Sequence, residues 1–219
     1  MKRGVIFDMD GVLVASGPAH RASWQALARR HGIDLPEEAF LETFGMPSRD
    51  IVRRVWGPQV TDAEIKQIDD EKEAFYRSLI TGMVPLTVGT REVLGGLAES
   101  GFVLVVATSG PPENLELVLH EAQLGHHFAA TVHGFDIEHG KPAPDCFLLA
   151  AERVGLPAAN CVVVEDAPVG IASALAAGMK VIGLVGTHPD WKLHEAGATH
   201  VVDRLGEITS VVIARLLDD

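Results

Sequence analysis

Cysteine is scarce, with only Cys146 and Cys161 in 219 residues, and the two lack the CxxC spacing of a metal or redox pair. No disulfide framework is available, and a reducing, cytoplasmic compartment fits best. Ten histidines are present without an HExxH arrangement, so the commonest zinc-hydrolase pattern is missing. Aromatics are 5% of the chain, and no apolar run reaches the ~18 residues that a membrane-spanning helix requires. Met1-Lys2-Arg3 leads straight into Val5-Ile6-Phe7-Asp8, too short an apolar stretch for a secretory signal, so a soluble, unprocessed chain is expected. Positive charge is also sparse: 18 Lys and Arg against 30 Asp and Glu leave a formal net charge of −12. Such a surface repels nucleic acid and anionic membrane, although a local positive pocket can still attract an anion.

What is abundant is apolar material, 47% of residues, enough for a full core and a small second lobe. Short runs rich in Val and Ile recur at Val5 to Phe7, Phe102 to Ala107, Ala129 to His133, Cys161 to Val164 and Val181 to Val185. Apolar on both faces and separated by helical patterns, they predict buried parallel strands with helical crossovers, an open α/β sheet of Rossmann-like class. One stretch departs from the alternation. Residues 15–82 carry helical patterns and no convincing strand: Pro18 suits a first helical position, Trp24, Leu27 and Ala28 share a face, and Gly32 ends the run. Thr61-Asp62-Ala63-Glu64 has the form of a capping box, with Ile65, Ile68 and Phe75 on the apolar face that follows. The expected organisation is an α/β core of 1–14 and 83–219 with an all-helical cap of 15–82, placed over the carboxyl ends of the strands, and Glu207 to Leu217 as a closing helix.

Four short motifs fall at or just beyond predicted strands. Asp8-Met9-Asp10-Gly11 follows the first, so two carboxylates emerge at the strand's carboxyl end and Gly11 turns the backbone away. Two adjacent acids repel unless a cation or proton intervenes. Glu165-Asp166 follows the Cys161 strand, and clustered carboxylate oxygens suit a hard cation such as Mg²⁺, with Asp166 the candidate direct ligand. In Gly140-Lys141-Pro142-Ala143-Pro144-Asp145, prolines stiffen the chain around one lysine, whose ammonium can balance a phosphate lodged among carboxylates. Thr108-Ser109-Gly110 ends the Phe102 strand and offers a hydroxyl and backbone N–H groups to a phosphoryl oxygen. Each motif alone also describes an ordinary turn, cap or surface lysine.

Their ordered coincidence along nearly the whole chain resembles the haloacid dehalogenase-like hydrolase superfamily, in the branch with a helical cap that contains β-phosphoglucomutases and small sugar-phosphate phosphatases. The resemblance implies Asp8 as nucleophile, Asp10 as general acid/base, Thr108 as a phosphate ligand and Lys141 as the charge-balancing lysine. It implies that Asp8, Asp10 through its carbonyl, and Asp166 hold Mg²⁺, with Glu165 a ligand or linked by water. Gly11, Ser109, Gly110, Arg49 and His20 complete the expected substrate contacts. The implied activity is hydrolysis of a small phosphorylated metabolite through an aspartyl-phosphate.

Two departures weigh on the alternatives. Asp10 argues against halide displacement, which needs no leaving-group proton. The cap segment with His20, Trp24 and Gly45-Met46-Pro47-Ser48-Arg49 resembles the mutases, yet Ala15 stands where those usually carry an acid and Gly110-Pro111-Pro112 departs from their polar continuation. A non-catalytic phospho-ligand binder is disfavoured by the intact motifs. Ser48 reads as an N-cap that places Arg49 at a helix start, where it can grip a distal anion or pair with Glu42 or Asp50. His126, His127, His188, His194 and His200 read as surface or turn residues, and Trp56 and Trp191 as packing residues.

Overall fold

The computed structural model describes residues 2–41, 43 and 46–218 and divides into two compact units, 1–15 with 85–219, and 16–84. Glu42 and Gly45, singled out above, lie outside the described residues.

The first unit is built on six parallel strands: β1 (Gly4–Phe7), β2 (Val103–Ala107), β3 (Ala130–Val132), β4 (Cys161–Glu165), β5 (Lys180–Leu184) and β6 (His200–Val202). Their order across the sheet is β3-β2-β1-β4-β5-β6. β1 and β4 are buried at every residue, as a central strand covered by helices on both faces demands. The helices are α5 (Thr90–Glu99), α6 (Pro112–Glu121), α7 (Asp145–Arg153), α8 (Pro168–Ala176), α9 (Asp190–Glu195) and α10 (Ser210–Asp218), after α1 to α4 of the other unit. Ile6, Val105, Val163, Phe147, Ile171 and Val181 belong to one buried cluster. Phe7 pairs with Val106 on one side and Val164 on the other. That register sets the residues after β1, β2 and β4 at one level, where the chain leaves the sheet.

Three expectations need correction here. Strand β6 was not anticipated, because His200-Val201-Val202 is a three-residue edge strand with an exposed first residue, too short to stand out as an apolar run. The closing helix begins at Ser210, not Glu207; Leu205–Glu207 is a separate 3₁₀ turn. Trp191 is 58% exposed, with the Lys192 ammonium 5.6 Å from its ring centroid, so it is not a packing residue.

Among the described residues, the regular elements of the second unit are all helices: α1 (Gly17–Arg30), α2 (Glu37–Leu41), α3 (Ser48–Trp56) and α4 (Asp62–Ile80). Its core gathers Trp24, Leu27, Phe40, Ile51, Val52 and Ile65. At the start of α4 the Glu64 N–H donates to Thr61 Oγ1 at 3.3 Å and the Thr61 N–H donates back to Glu64 Oε2 at 2.8 Å. Such a reciprocal cap contributes about 1 kcal/mol. The buried face of α4 carries Tyr76 where Phe75 was expected, and it also buries Lys72 and Glu73. Ser48 is the first residue of α3 and Pro47 its N-cap, with no side-chain cap bond, so the capping role assigned to Ser48 does not hold.

Candidate active site

Asp8 is placed by the sheet itself: its N–H donates to Val164 O at 3.0 Å, continuing the β1–β4 pairing one residue past β1. The chain then folds back on itself, with the Leu13 N–H donating to Met9 O at 2.9 Å and the Gly11 N–H to Val14 O at 2.8 Å. Gly11 has φ +83°, and a Cβ there would stand 1.9 Å from Asp166 Oδ2. No other residue type fits that corner without moving Asp166.

Lys141 is the hub. Its ammonium donates to Asp8 Oδ1 at 2.6 Å and to Glu165 Oε1 at 2.5 Å, and lies 4.9 Å from the Phe147 ring centroid. All three charged groups are less than a tenth exposed. Burial opposes the lysine's charge, but the Asp8 and Glu165 carboxylates outweigh it and hold its pKa well above the usual value. The Lys141–Pro142 peptide is cis. Glu165 is occupied on both oxygens, since Oε2 accepts the Asp166 and Ala167 N–H groups at 2.8 Å each. Room for its carboxylate comes from Gly170, where a Cβ would stand 1.7 Å from Oε1.

Asp166 is different. It is buried, and its Oδ2 has no hydrogen-bond partner. Burial, then Glu165 and Asp8, push its pKa well above the ordinary range, with Thr187 and Lys141 opposing. Burial likewise pushes Asp8 up to about 8, with Lys141 opposing and Glu165 and Asp10 adding to the rise. Without a further cation these acids therefore favour their neutral forms. An unpartnered buried carboxylate oxygen beside other hard oxygen donors fits a magnesium-type ion. Among the described residues, no group of three His, Cys, Asp or Glu side chains forms a site by itself. The donor set expected above includes a main-chain carbonyl, so it does not depend on such a trio.

Thr108 emerges from β2 at the same level, its N–H donating to Val132 O at 3.0 Å. Its hydroxyl oxygen accepts the Gly110 N–H at 3.0 Å. That bond spends the Gly110 donor, so Gly110 orients Thr108 and does not offer its own N–H to a ligand. The Ser109 turn is backed by Gly134, whose N–H donates to Gly110 O at 2.8 Å and where a Cβ would stand 2.3 Å from Ser109 O. Asp10 reaches the same turn, its Oδ2 lying 3.9 Å from where a Gly110 Cβ would be. Asp8, Asp10, Thr108, Lys141, Glu165 and Asp166 are thus brought together, while Gly134 and Thr187 were missed. Both are single small residues just past strands, and only their spatial neighbours mark them.

His20 and Arg49 belong to the helical unit. The His20 ring stacks on Tyr76 at 4.0 Å, and its Nδ1 is 2.9 Å from the Lys72 ammonium, which also bonds Glu73 Oε1 at 2.6 Å. Arg49 is exposed in the first turn of α3.

Set beside known proteins, residues 2–178 match the haloacid dehalogenase-like hydrolase family. The chain belongs to that family. This hydrolase is 32% identical to the fructose-1-phosphate phosphatase YqaB of Escherichia coli, over 82% of this chain and 94% of that one. It is 34% identical to the hexitol phosphatase A of the same organism, over 83% and 82%. Among solved structures, a family IA, variant 3 hydrolase of Entamoeba histolytica matches over 100% of both chains, with TM-score 0.91 and 26% identity. No described helix of this hydrolase is long and apolar enough to cross a membrane.

Proposed function

We propose that this hydrolase removes the phosphoryl group from a small phosphorylated metabolite, a sugar phosphate or a similar ester, with Mg²⁺ and a phospho-Asp8 intermediate. The observation that carries the reading is the buried Asp8 held by Lys141 at 2.6 Å, beside the unpartnered Asp166 oxygen. The phosphatase names of the two Escherichia coli relatives support it. Mg²⁺ would be held by Asp8, the Asp10 carbonyl and Asp166, with Glu165 linked through water because its oxygens already accept protein donors. When bound, the ion supplies positive charge to the transferring phosphoryl group.

The chain's own groups do the rest. Asp8 attacks phosphorus in line, and Lys141, fixed in its charged state, offsets the charge on the equatorial oxygens. The Thr108 hydroxyl donates outward, because its oxygen already accepts the Gly110 N–H, and the Ser109 N–H adds a second donor. Asp10 gives a proton to the leaving alkoxide, then takes one from the water that attacks the same phosphorus. Phosphate release from a panel of phosphorylated metabolites, with and without Mg²⁺, tests the reading. No release from any ester, or release untouched by exhaustive chelation, contradicts it.

The raised carboxyl pKa values set a pH signature. In the metal-free protein Asp8 titrates near 8, against a usual value of 3.8. A folded-state pKa above the unfolded one means that stability is fully present below about 3.8 and lost as pH rises through about 8. Mg²⁺ compensates the charge that appears over this window. The rise in Tm on adding saturating Mg²⁺ should therefore grow between pH 5 and 8, as read by calorimetry. A shift that stays flat or shrinks with pH argues against metal at these carboxylates.

We assign substrate selectivity to the helical unit through Arg49, whose planar guanidinium suits a carboxylate or second phosphate far from the reacting phosphorus. Arg49→Ala should lower kcat/KM for the preferred metabolite by roughly ten- to a thousand-fold, about 1.4 to 4 kcal/mol. Hydrolysis of p-nitrophenyl phosphate, which has no distal anion, should barely change. Equal losses on both substrates contradict the assignment.

A further inference from the structure

The carboxyl ends of the strands hold the chemistry described so far, but the opposite edge of the same unit carries a second feature. A cavity of about 320 Å³ is lined by Lys180, Thr199, His200, Val212, Arg215 and Leu216. Lys180 is the first residue of β5 and His200 the first of β6, so both stand where the parallel strands begin. Asp8 follows the end of β1, so a strand's length, about 16 Å for five residues, separates the levels of the two places. On α10, Val212, Arg215 and Leu216 are spaced three and four apart and share one face, which brings Arg215 over the cavity with two aliphatic neighbours.

The charge pattern is the reverse of the chain's. The chain carries 30 acids against 18 Lys and Arg, yet this lining holds Lys180, Arg215 and the His200 imidazole and no carboxylate. A neighbouring cavity shows the contrast. It also includes Arg215, but there Arg3 is neutralised by an ion pair with Asp218 and a bond to Ala214 O. Among the described residues, Lys180 and Arg215 have no such partner. The Thr199 hydroxyl accepts the Val181 N–H at 3.0 Å and the Thr199 N–H donates to Val181 O at 2.8 Å, which ties this lining residue to the start of β5. Among the described residues, two cations without an ion-pair partner and an imidazole therefore line one cavity beside a small apolar wall, a lining suited to an anion.

We propose that this cavity is a second, non-catalytic binding site for a small phosphate-bearing anion. Its volume is at the lower end of that of small-molecule sites, enough for inorganic phosphate or a compact phosphate ester. The guanidinium supplies a two-pronged contact to phosphoryl oxygens, the ammonium a second charge, and Val212 and Leu216 an apolar edge for the carbon portion of an ester. Its described lining holds no carboxylate and none of the Asp8, Asp10 and Lys141 groups, so a ligand there is held without being turned over.

The test is a residue-resolved titration of the metal-free 219-residue chain with inorganic phosphate, followed in ¹H–¹⁵N spectra at constant ionic strength against chloride. We expect saturable shifts at Lys180, Thr199, His200 and the 212–216 stretch of α10, resolved from any at the strand carboxyl ends. Lys180→Gln/Arg215→Gln should weaken the rear-face response at least tenfold, with p-nitrophenyl phosphate hydrolysis and spectral dispersion unchanged. Lys180→Arg should retain it. Shifts confined to the Asp8 end, shifts that chloride reproduces, or an undiminished response in the double variant would each overturn the proposal.

Discussion

Asp8→Asn should reduce turnover by at least ~10⁴-fold, a loss of about 5.4 kcal/mol of transition-state stabilisation, while the protein stays folded. An amide has nearly the shape of a carboxylate but is a poor nucleophile, so the two-step displacement loses its first step. Preservation of the fold follows from the site's electrostatics. Burial already favours the neutral form of Asp8 in the metal-free protein, and Lys141 keeps Glu165 as a counter-charge at 2.5 Å. Asparagine resembles that neutral form, so the metal-free Tm should not fall, while the added stability on Mg²⁺ binding should shrink. A variant that loses activity only because it unfolds would show the opposite pattern.

Removal of the metal should be nearly as severe. Chelation is expected to abolish phosphate release, Mg²⁺ to restore it, and Ca²⁺ to fail, because its longer and looser coordination does not hold the attacking and leaving groups in line. Asp166→Ala should reproduce chelation at moderate Mg²⁺, with a kcat loss of ~10²-fold or more, by removing the oxygen that has no protein partner. It should also raise metal-free stability, because a buried carboxyl with an unpartnered oxygen is deleted. Loss of activity together with gain of stability distinguishes a ligand from a structural residue. An Asp166→Ala protein that is fully active at limiting Mg²⁺ would contradict the role.

Most of the fold was legible because buried parallel strands leave a plain mark: Val162-Val163-Val164 and Val5-Ile6-Phe7 are apolar on both faces. The capping box at Thr61 and Glu64 was equally readable, since both partners lie within one helical turn. β6 escaped notice because edge strands need not be apolar on both faces, and His200 is not. The Ser48 cap was misread because Pro47 can enter a helix with extended backbone and no side-chain bond. In the candidate site, acids after β1 and β4 singled out Asp8 and Asp166 and the proline-flanked loop singled out Lys141, but which of their atoms are already bonded depended on geometry. Glu165 and Asp166 are adjacent in sequence, yet Glu165 accepts three protein donors and Asp166 Oδ2 none. Burial of Lys72 and Glu73 on α4 was invisible, because charged neighbours in a helix normally face solvent.

The covalent role of Asp8 is tested most directly by stopping turnover with acid and mapping the phosphorylated peptide by mass spectrometry. Acid preserves an acyl phosphate long enough for digestion, and a single-turnover time course separates an intermediate from a dead-end adduct. The account predicts one phosphorylated carboxylate, at Asp8, that forms as fast as leaving alcohol appears and decays at the rate of phosphate release. It also predicts that Asp10→Asn forms less of it, because the leaving alkoxide goes unprotonated. Phosphate on another residue, or complete turnover with no acid-trappable label on Asp8, would contradict the central claim.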